Sequence, residues 1–294
     1  MLNFDSVSKS FGSAPALQQV SLSVEPGSVV AMVGHNGAGK TTLMRMALGL
    51  VRPDSGRVRL GGVPVERLGS LGGLVGASLD ASTLPASWRA VTAARVAAGL
   101  ADVPAERVPE VLRLVGLGNV PKRRIAHFSM GMRQRMALAL ALLSQPRLLI
   151  LDEPTNALDP VACHELRGWI REHAARGNSV LVSSHNLPEV EEVADRVVVL
   201  HKGRVVQDAA KADLLTSDTV VVRVEQPDVL ARRLWQLGHR TEQLADGAIR
   251  VIGATPGEVG EVSAACGLVV RGLSGEQRRL SDIYQLITTE GAIR

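Results

Sequence analysis

A glycine-rich loop that ends in a lysine and two threonines is the segment of the sequence most suited to chemistry. In order, it reads Gly34, His35, Asn36, Gly37, Ala38, Gly39, Lys40, Thr41 and Thr42. An apolar run at residues 29–33 precedes it, and a segment with helical spacing follows. Because glycines carry no side chain, backbone N–H groups of such a loop can point at phosphate oxygens, and the positive end of the following helix adds attraction. We predict that Lys40 contacts the β- and γ-phosphates of a nucleotide and that the Thr41 hydroxyl ligates Mg²⁺.

Two consecutive carboxylates end a second apolar run. Asp152 and Glu153 follow the run at residues 148–151. In a parallel sheet, the carboxyl ends of strands lie at the edge where a phosphate-binding loop also opens. Asp152 is expected to hold Mg²⁺ through its water shell, and Glu153 to polarise an attacking water. A strand that merely ends in an acidic turn has the same local pattern.

Three shorter motifs are ambiguous when each is considered alone. Ser129 and Gly131 begin an Ala/Leu-rich helix and could form an anion site, although Ser129 could equally be an ordinary helix cap. The segment 156–159 could be a turn into a helix, and His185, at a strand end, could reach a γ-phosphate or make an unremarkable hydrogen bond. The probability that these three motifs and the two stronger ones occur in this order by chance is negligible.

The surrounding pattern predicts how these residues are positioned. Near-continuous apolar strands alternate with helices through most of residues 2–207, which indicates an α/β fold around a sheet covered on both faces. Residues 20–24 and 57–60 alternate polar and apolar side chains, as in a half-exposed antiparallel β subdomain. Residues 85–145 have helical spacing, which predicts an inserted helical subdomain.

The last part of the sequence has a different character. After residue 218, the order of predicted elements is βαββαβα, which indicates a small ferredoxin-like α+β appendage. Its final strand is predicted at residues 268–271 and its final helix at 277–287. We therefore place the main domain at residues 1–215 and a C-terminal accessory domain at 216–294.

Composition narrows the possible functions. The chain has 294 residues, a net charge of +4 and 2% aromatic residues, and its basic residues are mostly scattered. Nucleic acid is therefore not an expected partner. The two cysteines are far apart and suggest neither a disulfide framework nor a zinc site. Since no signal peptide or membrane-spanning run is apparent, we expect a chain that is soluble by itself and needs a partner for any membrane role.

Residues 1–215 resemble the nucleotide-binding domain of ATP-binding cassette (ABC) proteins, which are P-loop NTPases. The resemblance is carried by the Walker A loop at residues 34–42, the signature loop at 128–132 and the Walker B strand at 148–152. Glu153, the D-loop at 156–159 and the H-loop residue His185 also match. Phe11 occupies the place where the family stacks an aromatic ring on adenine, although it could instead be a core residue.

Two positions depart from the family pattern. The signature is usually Leu-Ser-Gly-Gly-Gln, whereas residues 128–132 read Phe-Ser-Met-Gly-Met and keep Ser129 and Gly131. Asp80 aligns with the family's Gln-loop glutamine, which senses Mg²⁺ and the transport partner. A carboxylate there could still touch Mg²⁺ or position the attacking water.

The resemblance implies ATP and Mg²⁺ as cofactors and a head-to-tail pair of cassettes, either a homodimer or a heterodimer. ATP held by Lys40 and Thr41 of one chain would be closed over by Ser129 and Gly131 of the other, with Asp159 across the interface. A groove near residues 80–88 would pass the motion to a membrane permease.

The variant signature, Asp80 and the tail are together similar to ATPases of daunorubicin-type and bacitracin-type exporters, whose permease is a separate chain. We therefore expect an export ATPase that is cytoplasmic and peripheral on the inner face of the cell membrane. Alternatives are an importer ATPase or a soluble ABC protein that acts on ribosomes or DNA. A ligand-sensing regulatory role for the tail also stays open.

Overall fold

The computed structural model describes residues 1–276 and 278–290, and the side chains of 288–290 are not among the described atoms. The chain divides into two compact units, one comprising Met1–Ala210 together with residues 287–290 and the other Lys211–Leu286. Among the described helices, none combines the length and the apolar character needed to cross a bilayer.

The first unit alternates strands and helices along most of its length. Its strands are β1 (Leu2–Phe11), β2 (Ala14–Val24), β3 (Val29–Val33), β4 (Ser55–Leu60), β5 (Val63–Pro64), β6 (Val75–Ser78), β7 (Leu148–Asp152), β8 (Ser179–Ser184), β9 (Arg196–His201) and β10 (Arg204–Ala210). Its helices are α1 (Lys40–Ala47), α2 (Ala90–Leu100), α3 (Arg107–Leu114), α4 (Met130–Leu142), α5 (Pro160–Ala175) and α6 (Leu187–Val193).

A mixed sheet of order β10-β9-β3-β8-β7-β6 forms the centre of this unit. All neighbours pair in parallel except β10, which runs antiparallel to β9. Every residue of β3 and β8 is buried, as expected for inner strands covered on both faces. The carboxyl ends of β3, β7 and β8 are adjacent, with Asp152 paired to Ser183 and Val33 paired to Ser184. This edge of the sheet carries the predicted functional residues.

The antiparallel sheet predicted early in the sequence is present, with the order β2-β1-β4-β5. Its buried side chains, including Phe4, Leu22 and Val58, share a core with Met32 and Ile150 of the large sheet. Polar residues on these strands are mainly exposed, which produces the alternation seen in the sequence.

The inserted helical subdomain is also present, as α2, α3 and α4 with short connecting turns. Its buried residues are mostly alanine, valine and leucine; α2 buries Ala90, Ala93, Ala94 and Ala98. Phe128 is the aromatic residue buried within residues 85–145, so the core of these helices depends mainly on aliphatic side chains.

The second unit has the predicted βαββαβα order. It contains α7 (Lys211–Leu215), β11 (Thr219–Val224), α8 (Pro227–Gln236), β12 (Arg240–Gln243), β13 (Ile249–Ile252), α9 (Pro256–Ala265), β14 (Val270–Gly275) and α10 (Leu280–Glu290). The sheet order β12-β13-β11-β14, antiparallel throughout, is that of a ferredoxin-like fold. Residue 277, the predicted start of the last helix, lies outside the described residues.

The last strand begins two residues later than the sequence predicts. Gly267, at φ 69°, ends α9, and the Leu268 N–H donates to the Ser263 carbonyl at 3.0 Å. This is the Schellman arrangement that closes a helix C-terminus. Leu268 is therefore part of the C-terminal cap of α9. The predicted strand started too early because the apolar Leu268 was assigned to it.

A capping box starts α9 and supports a stability prediction. The Thr255 hydroxyl accepts from the Glu258 N–H at 3.3 Å, and the Glu258 carboxylate accepts from the Thr255 N–H at 2.8 Å. We expect Thr255→Ala to destabilise α9 by about 1 kcal/mol. Amide exchange at residues 256–266 of the full chain should then be about fivefold faster. Thr255→Ser keeps the cap and should exchange like the parent; equal exchange in the alanine variant would refute the prediction.

Candidate nucleotide-binding and catalytic site

A cleft of about 790 Å³ opens beside the carboxyl ends of β3 and β7. The glycine-rich loop and the acidic strand end meet in this cleft, although 112 residues separate Lys40 from Asp152. Its lining includes residues 36–42, Asp80, Asp152 and Glu153. Its volume lies within the range typical of small-molecule sites.

The loop wraps around the ammonium group of Lys40, whose side chain is 6% exposed. Lys40 Nζ donates to the Gly34 carbonyl at 2.6 Å and to the His35 carbonyl at 3.3 Å. Gly39, at φ 110°, precedes α1, and a Cβ there would lie 2.6 Å from a Leu17 methyl carbon. Only glycine therefore fits at this turn, which leaves the helix N-terminus free to face an anion.

A hydroxyl and a carboxylate lie together where a magnesium ion is expected. Thr41 Oγ1 donates to Asp152 Oδ2 at 2.5 Å, so loop and strand end are in direct contact. Such hard oxygen donors suit Mg²⁺, which usually takes one or two protein carboxylates together with substrate phosphates. Over the described part of the chain, no three His, Cys, Asp or Glu side chains cluster to form a metal site by themselves. The residues therefore fit a magnesium ion that nucleotide phosphates help to hold.

Glu153 is held in an unusual backbone conformation with its carboxylate facing the loop. Its φ is 47°, in the left-handed region that non-glycine residues rarely occupy. Glu153 Oε1 lies 3.8 Å from Lys40 Nζ, and Oε2 lies 2.7 Å from His185 Nδ1. Oε1 is buried and has no hydrogen-bond partner among the described residues. A carboxylate so placed has an oxygen available for an incoming water.

His185 is positioned to orient that carboxylate. Its ring Nδ1 lies 2.7 Å from Glu153 Oε2, and its backbone N–H donates to the same oxygen at 3.3 Å. Its side chain is 62% exposed, so the rest of the ring is accessible to a ligand.

Asp80 lines the same cleft but is engaged with its own turn. Its Oδ1 accepts from the Ser82 N–H at 2.8 Å and caps a short 3₁₀ turn. Hydrogen bonds from the Ser82 side chain and then its backbone hold the pKa of Asp80 below its usual value. Asp80 is therefore charged at neutral pH.

Phe11 lies at the cleft and is not part of the core. Its side chain is 53% exposed and lines the same cavity as the loop. The Lys9 ammonium lies 5.7 Å from the ring centroid, and Asp54 holds that ammonium at 2.6 Å. The alternative of a buried core residue is therefore wrong, and the ring is available for stacking on a base.

Ser129, Gly131 and Asp159 are not among the residues that line the cleft, although Phe128 and Met130, next to Ser129, are. Ser129 caps α4, where its hydroxyl accepts from the Met132 N–H at 3.2 Å. Asp159 caps α5 by accepting a hydrogen bond from the Ala162 N–H at 2.9 Å. This bond, and to a lesser extent the hydrogen bond from Arg135 at 3.0 Å, lowers the pKa of Asp159. The helix cap considered for Ser129 from the sequence is therefore present, and the segment 156–159 leads into α5 as its alternative interpretation predicted.

Gly131 lies against the carbonyl of Ala157 in the D-loop. A Cβ at this position would come within 2.6 Å of that oxygen. The glycine therefore allows the start of α4 and the D-loop to approach closely, which the sequence motif alone did not reveal.

Sequence reasoning missed Ser183 as a site residue. Its hydroxyl contacts both Asp152 and Glu153. The available signal was a serine at the end of a buried strand, two positions before His185.

Comparisons with known proteins agree with this geometry. The family model described as ABC transporter matches residues 17–156, and a domain family of unknown function matches residues 218–280. The bacitracin transport ATP-binding protein BcrA of Bacillus licheniformis is 31% identical, covering 98% of this chain and 97% of that protein. The Nod factor export ATP-binding protein I of Paraburkholderia xenovorans is 34% identical, covering 82% of each. A solved structure of an ABC transporter ATP-binding subunit matches with TM-score 0.68 and 30% identity, covering 73% of this chain and 91% of that one.

The fold and the comparisons together define an α/β ATPase. The chain belongs to the ABC transporter family and is an ATP-binding, ATP-hydrolysing transporter subunit.

Proposed function

We propose that this subunit uses Mg²⁺ and ATP to drive export of an antibiotic-type or peptide substrate through a separate membrane permease. One observation carries the proposal: Lys40, Thr41, Asp152 and Glu153 line one cleft in a chain similar over its whole length to a bacitracin transport subunit. The Nod factor relative, whose name includes export, supports the direction of transport.

Each residue of the cleft has a distinct proposed task. Lys40 exchanges its bonds to the Gly34 and His35 carbonyls for bonds to β- and γ-phosphate oxygens, with the loop N–H groups beside it. Thr41 and Asp152 would hold Mg²⁺, and Asp80, which lines the same cleft, could contribute; the ion would supply charge neutralisation for the phosphates. Glu153 polarises the attacking water, and His185 keeps Oε2 fixed so that Oε1 faces the reaction centre.

A second cassette completes the site. In a head-to-tail pair of cassettes, Ser129 and Gly131 of one chain would close over ATP held by the other chain. The N-terminus of α4 would supply N–H groups to the γ-phosphate, and Asp159 would lie across the interface. The partner is either a second copy or a related ATPase, and the dimer would be peripheral on the inner face of the membrane.

The helical subdomain contains a basic cleft. We propose that this cleft, together with the groove at residues 80–88, contacts the permease. This cleft of about 740 Å³ lies between α2 and α3. It has apolar walls, and its exposed cations are Arg89, Arg95, Arg113 and Lys122, against one lining carboxylate, Glu106. In the described structure these four cations form no ion pair with any carboxylate. An acidic segment of the permease with apolar side chains would complement it.

Charge reversal tests this contact. We expect Arg95→Glu combined with Arg113→Glu to lower recovery of the co-expressed permease about tenfold, because like charges would meet across the interface. ATP hydrolysis by the purified subunit should be unchanged. Arg232→Glu with Arg240→Glu makes the same change of charge in the second unit and should not affect recovery. Undiminished recovery by the first pair would exclude this cleft as the contact.

Deletion of the gene in the source cell tests the transport proposal. Cells that lack the subunit should become more sensitive to at least one member of a panel of peptide and drug antibiotics, and should accumulate it. The wild-type chain should restore resistance, whereas Glu153→Gln should not. Reduced uptake of a nutrient with unchanged sensitivity would favour an importer and contradict export.

A further inference from the structure

Ser183 lies at the junction of the two carboxylates assigned to catalysis. It belongs to β8 and has 0% exposure, although its strand neighbours Leu181 and Val182 are apolar. In the parallel pairing of β7 with β8, its partner is Asp152. A buried hydroxyl in such a strand needs polar partners, and both of its partners belong to the site.

The single hydroxyl makes two hydrogen bonds with opposite roles. Ser183 Oγ donates to Asp152 Oδ1 at 2.5 Å and accepts from the Glu153 N–H at 2.9 Å. The other oxygen of Asp152 accepts from Thr41 Oγ1 at 2.5 Å. The contacts thus form a continuous chain from the phosphate loop, through Asp152 and Ser183, to the backbone of Glu153.

This chain of bonds has consequences for both carboxylates. With Oδ1 of Asp152 bonded to Ser183, rotation of the carboxylate would break a hydrogen bond, and Oδ2 is directed at Thr41. Glu153 adopts a φ of 47°, which is unfavourable for glutamate unless neighbouring contacts enforce it. The bond from its N–H to Ser183 is one such contact, and that turn aims the Glu153 side chain at Lys40 and His185.

We infer that Ser183 is a positioning residue that couples the metal-holding carboxylate to the one that polarises water. The inference rests on the proposed roles of Asp152 and Glu153. If Asp152 holds Mg²⁺, the shared Ser183 hydroxyl would link the position of that carboxylate to the position of the Glu153 backbone. Partners of this kind around metal ligands typically affect metal affinity or activity by about 10- to 100-fold when removed.

Ser179 provides a matched control in the same strand. It is also buried, at 1% exposure, and its hydroxyl donates to the Glu25 carbonyl at 2.9 Å, remote from the carboxylates. Replacing either serine by alanine removes a buried hydroxyl from β8. A purely structural role for Ser183 therefore predicts similar behaviour of Ser183→Ala and Ser179→Ala.

The test compares the full-length chain with Ser183→Ala, Ser183→Thr and Ser179→Ala. We expect Ser183→Ala to lower kcat at least about tenfold and to raise the Mg²⁺ concentration for half-maximal activity severalfold. Binding of a fluorescent ATP analogue without Mg²⁺ should stay within about twofold of wild type, because the phosphate loop is intact. Ser183→Thr, which keeps the hydroxyl, should recover part of the loss.

A second readout needs neither nucleotide nor metal. Amide hydrogen exchange in the segment 150–158 should be faster in Ser183→Ala than in Ser179→Ala, because the Glu153 N–H has lost its acceptor. If Ser183→Ala fails to fold, Ser183→Cys is measured instead, since a thiol is close in size but a weak hydrogen-bonding group. Its kcat should show the same loss.

The outcomes separate this inference from the proposed function. A wild-type chain without ATP hydrolysis would refute the proposed function itself. An active wild-type chain whose Ser183→Ala or Ser183→Cys variant matches Ser179→Ala in kcat, Mg²⁺ dependence and exchange would overturn only the role of Ser183.

Discussion

Replacing Glu153 by glutamine is expected to lower the rate of ATP hydrolysis at least about 100-fold. The amide has nearly the same shape as the carboxylate but cannot polarise an attacking water in the same way. His185 Nδ1 can still contact the side chain, so the local geometry should persist. The measurement is the steady-state rate of phosphate release by the purified chain with Mg²⁺ and ATP.

ATP binding should survive this substitution. The carboxylate lies 3.8 Å from Lys40 Nζ and would face the negative γ-phosphate, so its neutralisation removes a repulsion. Glu172→Gln is the matched control, because Glu172 is exposed on α5, remote from the site, and forms an ion pair with Arg176. Hydrolysis by Glu153→Gln within a few-fold of the Glu172→Gln rate would mean that another group activates the water.

Replacing Lys40 by alanine is expected to weaken ATP binding at least about tenfold. Hydrogen bonds from a cation to an ionised acceptor are the strong ones, and here the ammonium group is buried and enclosed by the loop. Alanine would also leave the Gly34 and His35 carbonyls without this donor when ATP is absent. Binding is measured as the dissociation constant of a fluorescent ATP analogue.

Lys211→Ala, in the second unit, removes the same charge and should bind like wild type. Thermal unfolding of both variants separates a loss of binding from a loss of fold. An unchanged dissociation constant in folded Lys40→Ala would show that Lys40 does not contact the phosphates.

The phosphate loop and the acidic strand end could be predicted because their chemistry fixes both residue type and local structure. Gly39 must be glycine for steric reasons, and Lys40 and Thr41 follow it at fixed spacing. The inner strands were equally clear, since burial on both faces requires a continuous apolar run. These features depend on neighbours in sequence and therefore leave local patterns.

Other features depend on contacts between distant segments, which leave little trace in one sequence. Ser183 reaches Asp152 only because β7 and β8 pair in a particular register. Gly131 is needed because the Ala157 carbonyl approaches it. Phe11 could not be assigned to core or surface from its neighbours, and the structure resolves this because the ring is exposed at the cleft.

The central claim is that this ATPase works with a membrane permease, and one capture experiment tests it most directly. Tagged Glu153→Gln chain is incubated with ATP and Mg²⁺ in detergent-solubilised membranes of the source cell, then recovered and analysed by mass spectrometry. We predict a stoichiometric protein with several membrane spans, retained because the ATP-bound pair cannot reopen by hydrolysis. Recovery of ribosomal proteins or nucleic acid without any membrane protein would contradict the account.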